Sequence, residues 1–286
     1  MRTLALSTLL MFHLSFALAV FGAETGSFRG PVGLQLYSLR NQLKQDGAKA
    51  LEFIKEQGIK EVEISLESHY GLSREEMRDA LNKLGLKPTA ALAGLGYLLD
   101  KTDEAVENAK FFNVKYVGIA WLPHKKPLDE AQTIKAAEDF NTVGKRLKEH
   151  GIQFFYHNHG YEFYPYKGGT LFDLLMEKTD PDLVKYQMDV LWTVFPGQDP
   201  VKLLKKYPNR WISMHLKDLA KGVEGDFSGG TDVKNDVALG SGQTDYPALL
   251  KAAQEIGIKH YFIEDESPDV LKQIPQSLKF LSTVKF

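Results

Sequence analysis

Short apolar runs alternate with longer amphipathic segments along most of the chain. Strands of a parallel sheet are buried on both faces, so they read as nearly continuous apolar runs. Eight such runs predict strands, at residues 32–37, 61–64, 87–92, 114–119, 152–157, 184–189, 211–215 and 260–264. Eight parallel strands that alternate with helices are the number that closes a (β/α)8 TIM barrel. We therefore predict an α/β protein with this barrel fold, with an open doubly wound sheet as the alternative.

The segments between the runs carry helix signals. Ser73 followed by Glu76 is typical of a helix start, and Met77, Leu81 and Leu84 continue the helical spacing. A glycine closes each of four such segments, directly before the next strand, at Gly58, Gly85, Gly151 and Gly257. Glycine supplies the left-handed cap that turns a helix back toward a parallel strand. No G-x-G-x-x-G follows the first run, which excludes the usual dinucleotide-binding version of the open sheet.

The first 23 residues differ from the rest of the chain. Arg2 precedes an apolar stretch from Leu4 to Phe21 that ends in small residues, a pattern typical of a secretory signal peptide. A membrane anchor is the alternative, although the stretch barely reaches the roughly 20 apolar residues of a spanning helix. We expect a signal peptide at residues 1–23 and one barrel domain at 24–286. The protein would then be exported, periplasmic or extracellular, without stable membrane insertion after signal removal.

Composition and charge narrow the classes of function. The chain has no cysteine, which excludes disulfides and thiolate metal sites. Its formal net charge of −2 gives no basic patch for a phosphate backbone, so we do not expect nucleic acid as a partner.

Polar and charged residues cluster where the predicted strands end, which is where TIM barrels carry their active sites. Burial of an unpaired charge is costly, so such groups pair with one another or bind a metal. The residues concerned are Glu63, His157, His159, Glu162, Asp189, His215, Lys217 and Glu264. Each alone has an ordinary structural explanation, but their coincidence on one rim indicates a metal site. Imidazole and carboxylate ligands suit Mn, Mg, Co, Zn or Fe without distinguishing between them.

Five motifs in order resemble the sugar phosphate isomerase/epimerase family. These xylose isomerase-like TIM barrels belong to a superfamily that includes endonuclease IV and the AP endonucleases of family 2. The motifs lie at residues 33–40, 156–163, 188–189, 215–218 and 263–266, so the resemblance covers nearly all of the chain after residue 23. It implies one divalent metal held from strands five to eight by Glu162, Asp189, His215 and Glu264. Many members carry glutamate on strand five, where this chain has His157 and His159, with Glu162 a few residues on. The two histidines therefore remain competitors of Glu162 for the ligand role.

The chemistry expected at such a site is removal of a proton beside a sugar carbonyl. His157 and His159 are candidate bases because imidazole titrates near neutral pH, and carboxylates such as Glu63 or an unliganded Glu162 are alternatives. Lys217 could stabilise oxyanion charge or simply pair with Asp218. Four aromatic residues near the rim could stack on a sugar: Tyr37, Trp121, Phe163 and Trp192.

We therefore predict a metal-dependent sugar isomerase or epimerase that acts through a metal-stabilised enediolate. Its partner would be a small-molecule sugar, keto-sugar or glycoside. A lyase that eliminates the aglycone from 3-keto-glycosides would use the same first step. A non-catalytic sugar-binding barrel is a further alternative. A metal nuclease of the endonuclease IV type would need more metal ligands and a basic groove, and the slightly acidic charge and the predicted export signal argue against it.

Overall fold

The computed structural model describes residues 26–286, so the predicted signal peptide lies outside the described residues. Eight parallel strands, in sequence order, are hydrogen-bonded into a closed barrel in which the last pairs with the first. They are β1 Val32–Gln35, β2 Glu61–Ser65, β3 Lys87–Leu92, β4 Tyr116–Ile119, β5 Gln153–His157, β6 Val184–Asp189, β7 Trp211–Leu216 and β8 His260–Ile263. The predicted (β/α)8 barrel is confirmed, and the open sheet is wrong.

Eleven α-helices surround the barrel in the part of the chain that the structure describes. They are α1 Arg40–Gln45, α2 Gly47–Glu56, α3 Arg74–Leu84, α4 Leu95–Asp100, α5 Thr102–Phe111, α6 Glu130–Lys148, α7 Leu171–Lys178, α8 Val190–Val194, α9 Pro200–Lys206, α10 Tyr246–Glu255 and α11 Val270–Thr283. Within residues 26–286, no helix has the length and apolar character needed to cross a membrane.

The helix ends form as the sequence indicates. Ser73 and Glu76 make both hydrogen bonds of a capping box at the start of α3. The four predicted capping glycines all have φ between 70° and 82°. Strand β1 is shorter than expected, because it ends at Gln35 and Leu36–Leu39 form a turn of 3-10 helix. The Gln35 side chain accepts a hydrogen bond from the Tyr37 amide at 3.0 Å, which caps that turn.

The middle of the barrel is filled by aromatic rings. Phe155 of β5 and Phe262 of β8 pack with Ala90 of β3 inside the barrel. Gly33 and Gly118 make room for them, since a Cβ atom would lie 2.6 Å from the Phe262 ring and 2.5 Å from the Phe155 ring, respectively. Two residues further toward the carboxyl end, Phe155 is followed by His157 and Phe262 by Glu264. The rings therefore form an apolar floor under the functional end of the barrel.

Candidate metal centre

Four metal-competent side chains meet above this floor. His157 ends β5, Asp189 ends β6, His215 lies in β7, and Glu264 directly follows β8. One ligand atom from each lies within 4.8 Å of those of the other three. His157 Nε2 is 3.7 Å from Asp189 Oδ2, and His215 Nδ1 is 2.9 Å from Glu264 Oε2. Ligands held about 2.0–2.2 Å from a single ion have mutual separations of this order. We call these four residues the metal cluster.

Two members of the metal cluster are oriented by bonds made on their far sides. His157 Nδ1 hydrogen-bonds Gln187 Oε1 at 3.0 Å, which leaves Nε2 facing the cluster. Asp189 Oδ1 accepts the Trp192 amide at 2.8 Å, while Oδ2 is enclosed and has no hydrogen-bond partner. Burial raises the pKa of Asp189 to about 7, although Lys217 acts in the opposite direction. An enclosed carboxylate oxygen without a partner is costly, and a bound cation would satisfy it. The donor set therefore fits a divalent metal.

His215 has a carboxylate at each ring nitrogen. Its Nε2 contacts Glu63 and its Nδ1 contacts Glu264. Burial disfavours the charged ring, but the two carboxylates outweigh it and raise the pKa of His215 to about 10. Glu63 also accepts hydrogen bonds from Gln35 at 2.6 Å and Gln187 at 2.8 Å, so its carboxylate is fully occupied. Glu63 therefore lies behind His215 as a positioning residue and does not stand free as a base.

The structure places Glu162 outside the metal cluster. Its carboxylate accepts hydrogen bonds from the Tyr156 hydroxyl and from the His159 amide at 2.9 Å. Tyr156 packs on Phe140 of α6, on the helix side of β5, whereas its neighbour His157 points into the barrel. Burial raises the pKa of Glu162 to about 7. His157, not Glu162, thus joins the other three. Strand alternation is a signal that could have placed His157 inside the barrel, but it does not apply to Glu162, which lies beyond the end of β5.

Lys217 brings a buried positive charge beside the metal cluster. Its side chain is 2% exposed, and Nζ lies 2.7 Å from Glu266, 3.6 Å from Asp236 and 3.8 Å from Glu264. Although burial opposes charge, these carboxylates hold the pKa of Lys217 well above its ordinary value. The pairing with Asp218 considered from sequence is not formed: that carboxylate accepts backbone amides of Gly240 and Gly242. Sequence reasoning gave no role to Asp236, or to Glu266 within its motif.

His159 lies next to the metal cluster without belonging to it. Its ring stacks on Trp192 with centroids 4.6 Å apart and meets the edge of Trp121 at 5.1 Å. Burial, followed by the charge of Lys217, lowers the pKa of His159 to about 3, so the ring is neutral. Its Nδ1 is enclosed and has no hydrogen-bond partner among the described residues. The ring thus offers a free lone pair beside the cluster.

The rim aromatics have different positions. Tyr37 and Trp121 are 46% and 43% exposed, on opposite sides of the opening, after β1 and β4. Trp192 is buried against His159. Phe163 is buried and stacks on Phe172, so it has no free face for a sugar.

Comparison with known proteins places this chain among related barrels. Residues 41–284 match the family described as xylose isomerase-like TIM barrel. Inosose dehydratase of Clostridium perfringens is 27% identical over 225 residues, covering 73% of this chain and 68% of that protein. A sugar phosphate isomerase/epimerase from Parabacteroides distasonis superposes with a TM-score of 0.73 at 24% identity, covering 88% and 96% of the two chains. The IolI protein, solved with a bound zinc atom, gives 0.64 at 15% identity, covering 88% and 95%.

Proposed function

This chain belongs to the xylose isomerase-like TIM-barrel family, and we propose that it removes a proton beside the carbonyl of a keto-sugar or keto-polyol and expels a neighbouring oxygen substituent. The observation that carries the proposal is the metal cluster, with its enclosed and unpaired Asp189 oxygen, with neutral His159 and charged Lys217 close by. A divalent ion held by His157, Asp189, His215 and Glu264 would act as a Lewis acid on the substrate's carbonyl oxygen. Zn²⁺ is the first ion to test, because a structural relative was solved with zinc.

The chain's own residues supply the proton transfers. His159 Nδ1 is free to accept the proton from carbon, and the electron pair of the broken C–H bond forms the new double bond. Negative charge that develops on the substrate beside the ring favours its protonated form, which makes His159 a stronger base during the reaction. Lys217 would stabilise the negative charge on the oxygen that leaves as the C–O bond breaks, and that oxygen would take its proton from water. Trp121 and Trp192 pack against His159 and keep water from the acceptor.

Elimination is favoured over isomerisation by two observations. The curated relative that covers 73% of the chain is an inosose dehydratase. Outside the metal cluster, the site also has an unpaired acceptor, His159 Nδ1, and a separate buried cation, Lys217, which suits loss of a proton and an oxygen from adjacent carbons. Isomerisation or epimerisation is the second candidate, because it shares the enolising step and because a solved structural relative is an isomerase/epimerase. We further propose export after removal of residues 1–23, which rests on the sequence pattern alone.

Proton exchange tests the proposal most directly. We would incubate zinc-loaded protein in D2O with a keto-inositol, a panel of 3-keto-glycosides, aldoses and ketoses, and follow deuterium incorporation and products by NMR. The expected result is exchange beside the carbonyl together with loss of water or release of the aglycone. Exchange with sugar interconversion alone would identify the isomerase. Absence of exchange with every compound would contradict an enolising enzyme and support a binding protein.

His159→Gln is the matched variant for this experiment. It should abolish exchange and leave the zinc content unchanged, because His159 is outside the metal cluster. Exchange at the wild-type rate would remove His159 from the proposed mechanism.

A further inference from the structure

Tyr70, in the loop after β2, has an unusual backbone conformation for its type. Its φ is +56°, in the left-handed region that bulky residues rarely adopt. Two other non-glycine residues within 26–286 share a positive φ, but Asn113 is a type that tolerates it and Lys167 lies in an exposed hairpin turn. Tyr70 as a whole residue is only 9% exposed, and it packs in the main core. An outlier of this kind, fixed by its surroundings, is typical of functional positions.

The hydroxyl group of Tyr70 is the second unusual feature. It makes no hydrogen bond to any residue that the structure describes, and it is not one of the enclosed unpaired polar atoms, so it keeps access to solvent. Tyrosine hydroxyls in mostly buried positions usually find a partner. The charged and titratable groups that act on it are the Glu264 carboxylate, the Tyr37 hydroxyl and the Arg40 guanidinium. Burial, then Glu264 and Tyr37, raise the pKa of Tyr70, so the phenol keeps its proton and acts as a donor.

These groups belong to one side of the opening. Tyr37 and Arg40 follow β1, Tyr70 follows β2 and Glu264 follows β8, and these three strands are neighbours in the barrel. Arg40 stacks 4.4 Å above the Tyr37 ring and pairs with Glu266 at 3.3 Å. The other side is formed by Trp121, His159 and Trp192, after β4, β5 and β6. A sugar held over the metal cluster would lie between the two sides.

We propose that Tyr70 is a substrate-binding residue whose hydroxyl donates a hydrogen bond to an oxygen atom of the sugar held over the metal cluster. The inference deepens the proposed function and rests on it for the class of substrate, a neutral keto-sugar or keto-polyol. The strained loop then has a physical purpose: it holds a rigid ring in the core while the hydroxyl stays unpaired and not fully enclosed. Rigid placement of a donor costs little entropy on binding, which favours specificity for one substrate oxygen.

Removal of the hydroxyl alone tests the proposal. Tyr70→Phe in zinc-loaded protein should weaken binding of a keto-inositol or a methyl 3-keto-glucoside by roughly 5–10-fold in calorimetry, the net value of one hydrogen bond. Its unfolding midpoint should match that of the wild type, because the lost hydroxyl has no protein partner. Tyr261→Phe is the control: its hydroxyl donates to the Ile258 carbonyl at the opposite end of the barrel, so binding should not change. Wild-type affinity in Tyr70→Phe would overturn the proposal.

Deoxy analogues locate the hydrogen bond. Among analogues that each lack one oxygen, one should bind the wild type roughly 5–10-fold more weakly and bind Tyr70→Phe with no further loss. Equal penalties in both proteins at every position would overturn the assignment. Binding is compared in proteins that also carry His159→Gln, which blocks the proposed reaction and keeps the zinc, so the two proposals fail separately. If the wild-type protein binds the ketones but catalyses no exchange in D2O, the proposed reaction is contradicted and the assignment of Tyr70 as a substrate-binding residue still stands. Failure of both ketones to bind the wild type would overturn both proposals.

Discussion

Two carboxylates contact His215, and their positions differ. Glu264 lies in the metal cluster, whereas Glu63 is fully buried and accepts hydrogen bonds from two glutamines as well as contacting His215 Nε2. A metal-bound histidine commonly holds a carboxylate on its other nitrogen, which fixes the ring and increases its strength as a ligand. The contacts around Glu63 match that role. At the scale of single residues, the site therefore consists of the metal cluster and a supporting layer of hydrogen-bonded side chains beneath it.

Glu63→Gln tests this supporting role. The substitution keeps the size of the side chain but replaces the charged acceptor, so zinc affinity in a chelator-competition titration should fall by about 10–100-fold. Glu61→Gln is the matched control. Glu61 also contacts a histidine, His260, at 3.2 Å, but these two residues begin their strands and lie at the end of the barrel away from the metal cluster. Unchanged affinity in Glu63→Gln, or an equal loss in both variants, would contradict the assignment.

Asp173, in the first turn of α7, connects α7 with the end of α9. Asp173 completes the capping box with Thr170 at the start of α7, and it also accepts hydrogen bonds from Lys206 and Tyr207 at the end of α9. Burial raises its pKa, but the bonds to Lys206, Tyr207 and Thr170 outweigh burial, and the net shift is downward. The carboxylate form is therefore favoured by folding.

We expect Asp173→Asn to destabilise the protein by about 1–2 kcal/mol at pH 7, measured by urea unfolding. Because the folded-state pKa is depressed, the contribution is fully present above the ordinary value of 3.8 and is lost as the pH falls through the folded value. The gap between the variant and the wild type should thus narrow below about pH 4. Glu76→Gln in the capping box of α3 is the control; it should change stability by only a few tenths of a kcal/mol, because glutamine also serves in that position. An equal loss of unfolding free energy in the two variants would show that the contacts of Asp173 with α9 do not contribute to stability.

At the scale of the whole molecule, the barrel could be predicted because burial on both faces leaves apolar runs and glycine closes the helices. The polar residues of the rim could also be predicted, because they come where the predicted strands end. Their hydrogen-bond partners could not be predicted, since Glu63 and His215 are 152 positions apart in the sequence and meet only because the sheet closes. Loop side chains are harder still: periodicity does not determine the direction of Glu162, and nothing in the pattern distinguishes Tyr70. Within strand five, alternation would have placed His157 inside and Tyr156 outside.

The metal cluster joins four consecutive strands, β5 to β8, so an ion bound there would stabilise the second half of the barrel as a unit. A ligand at 100 times its Kd stabilises the folded state by about 2.7 kcal/mol, which for a protein of this size corresponds to a rise of roughly 5–10 °C in Tm. We expect saturating zinc to produce such a shift in wild-type protein and EDTA to reverse it. His157→Ala should lose the shift because it removes one ligand. Glu162→Gln should keep the shift even if its own Tm is lower, because its carboxylate bonds Tyr156 and the His159 amide away from the cluster. The opposite result, with the shift kept in His157→Ala and lost in Glu162→Gln, would restore Glu162 as the strand-five ligand.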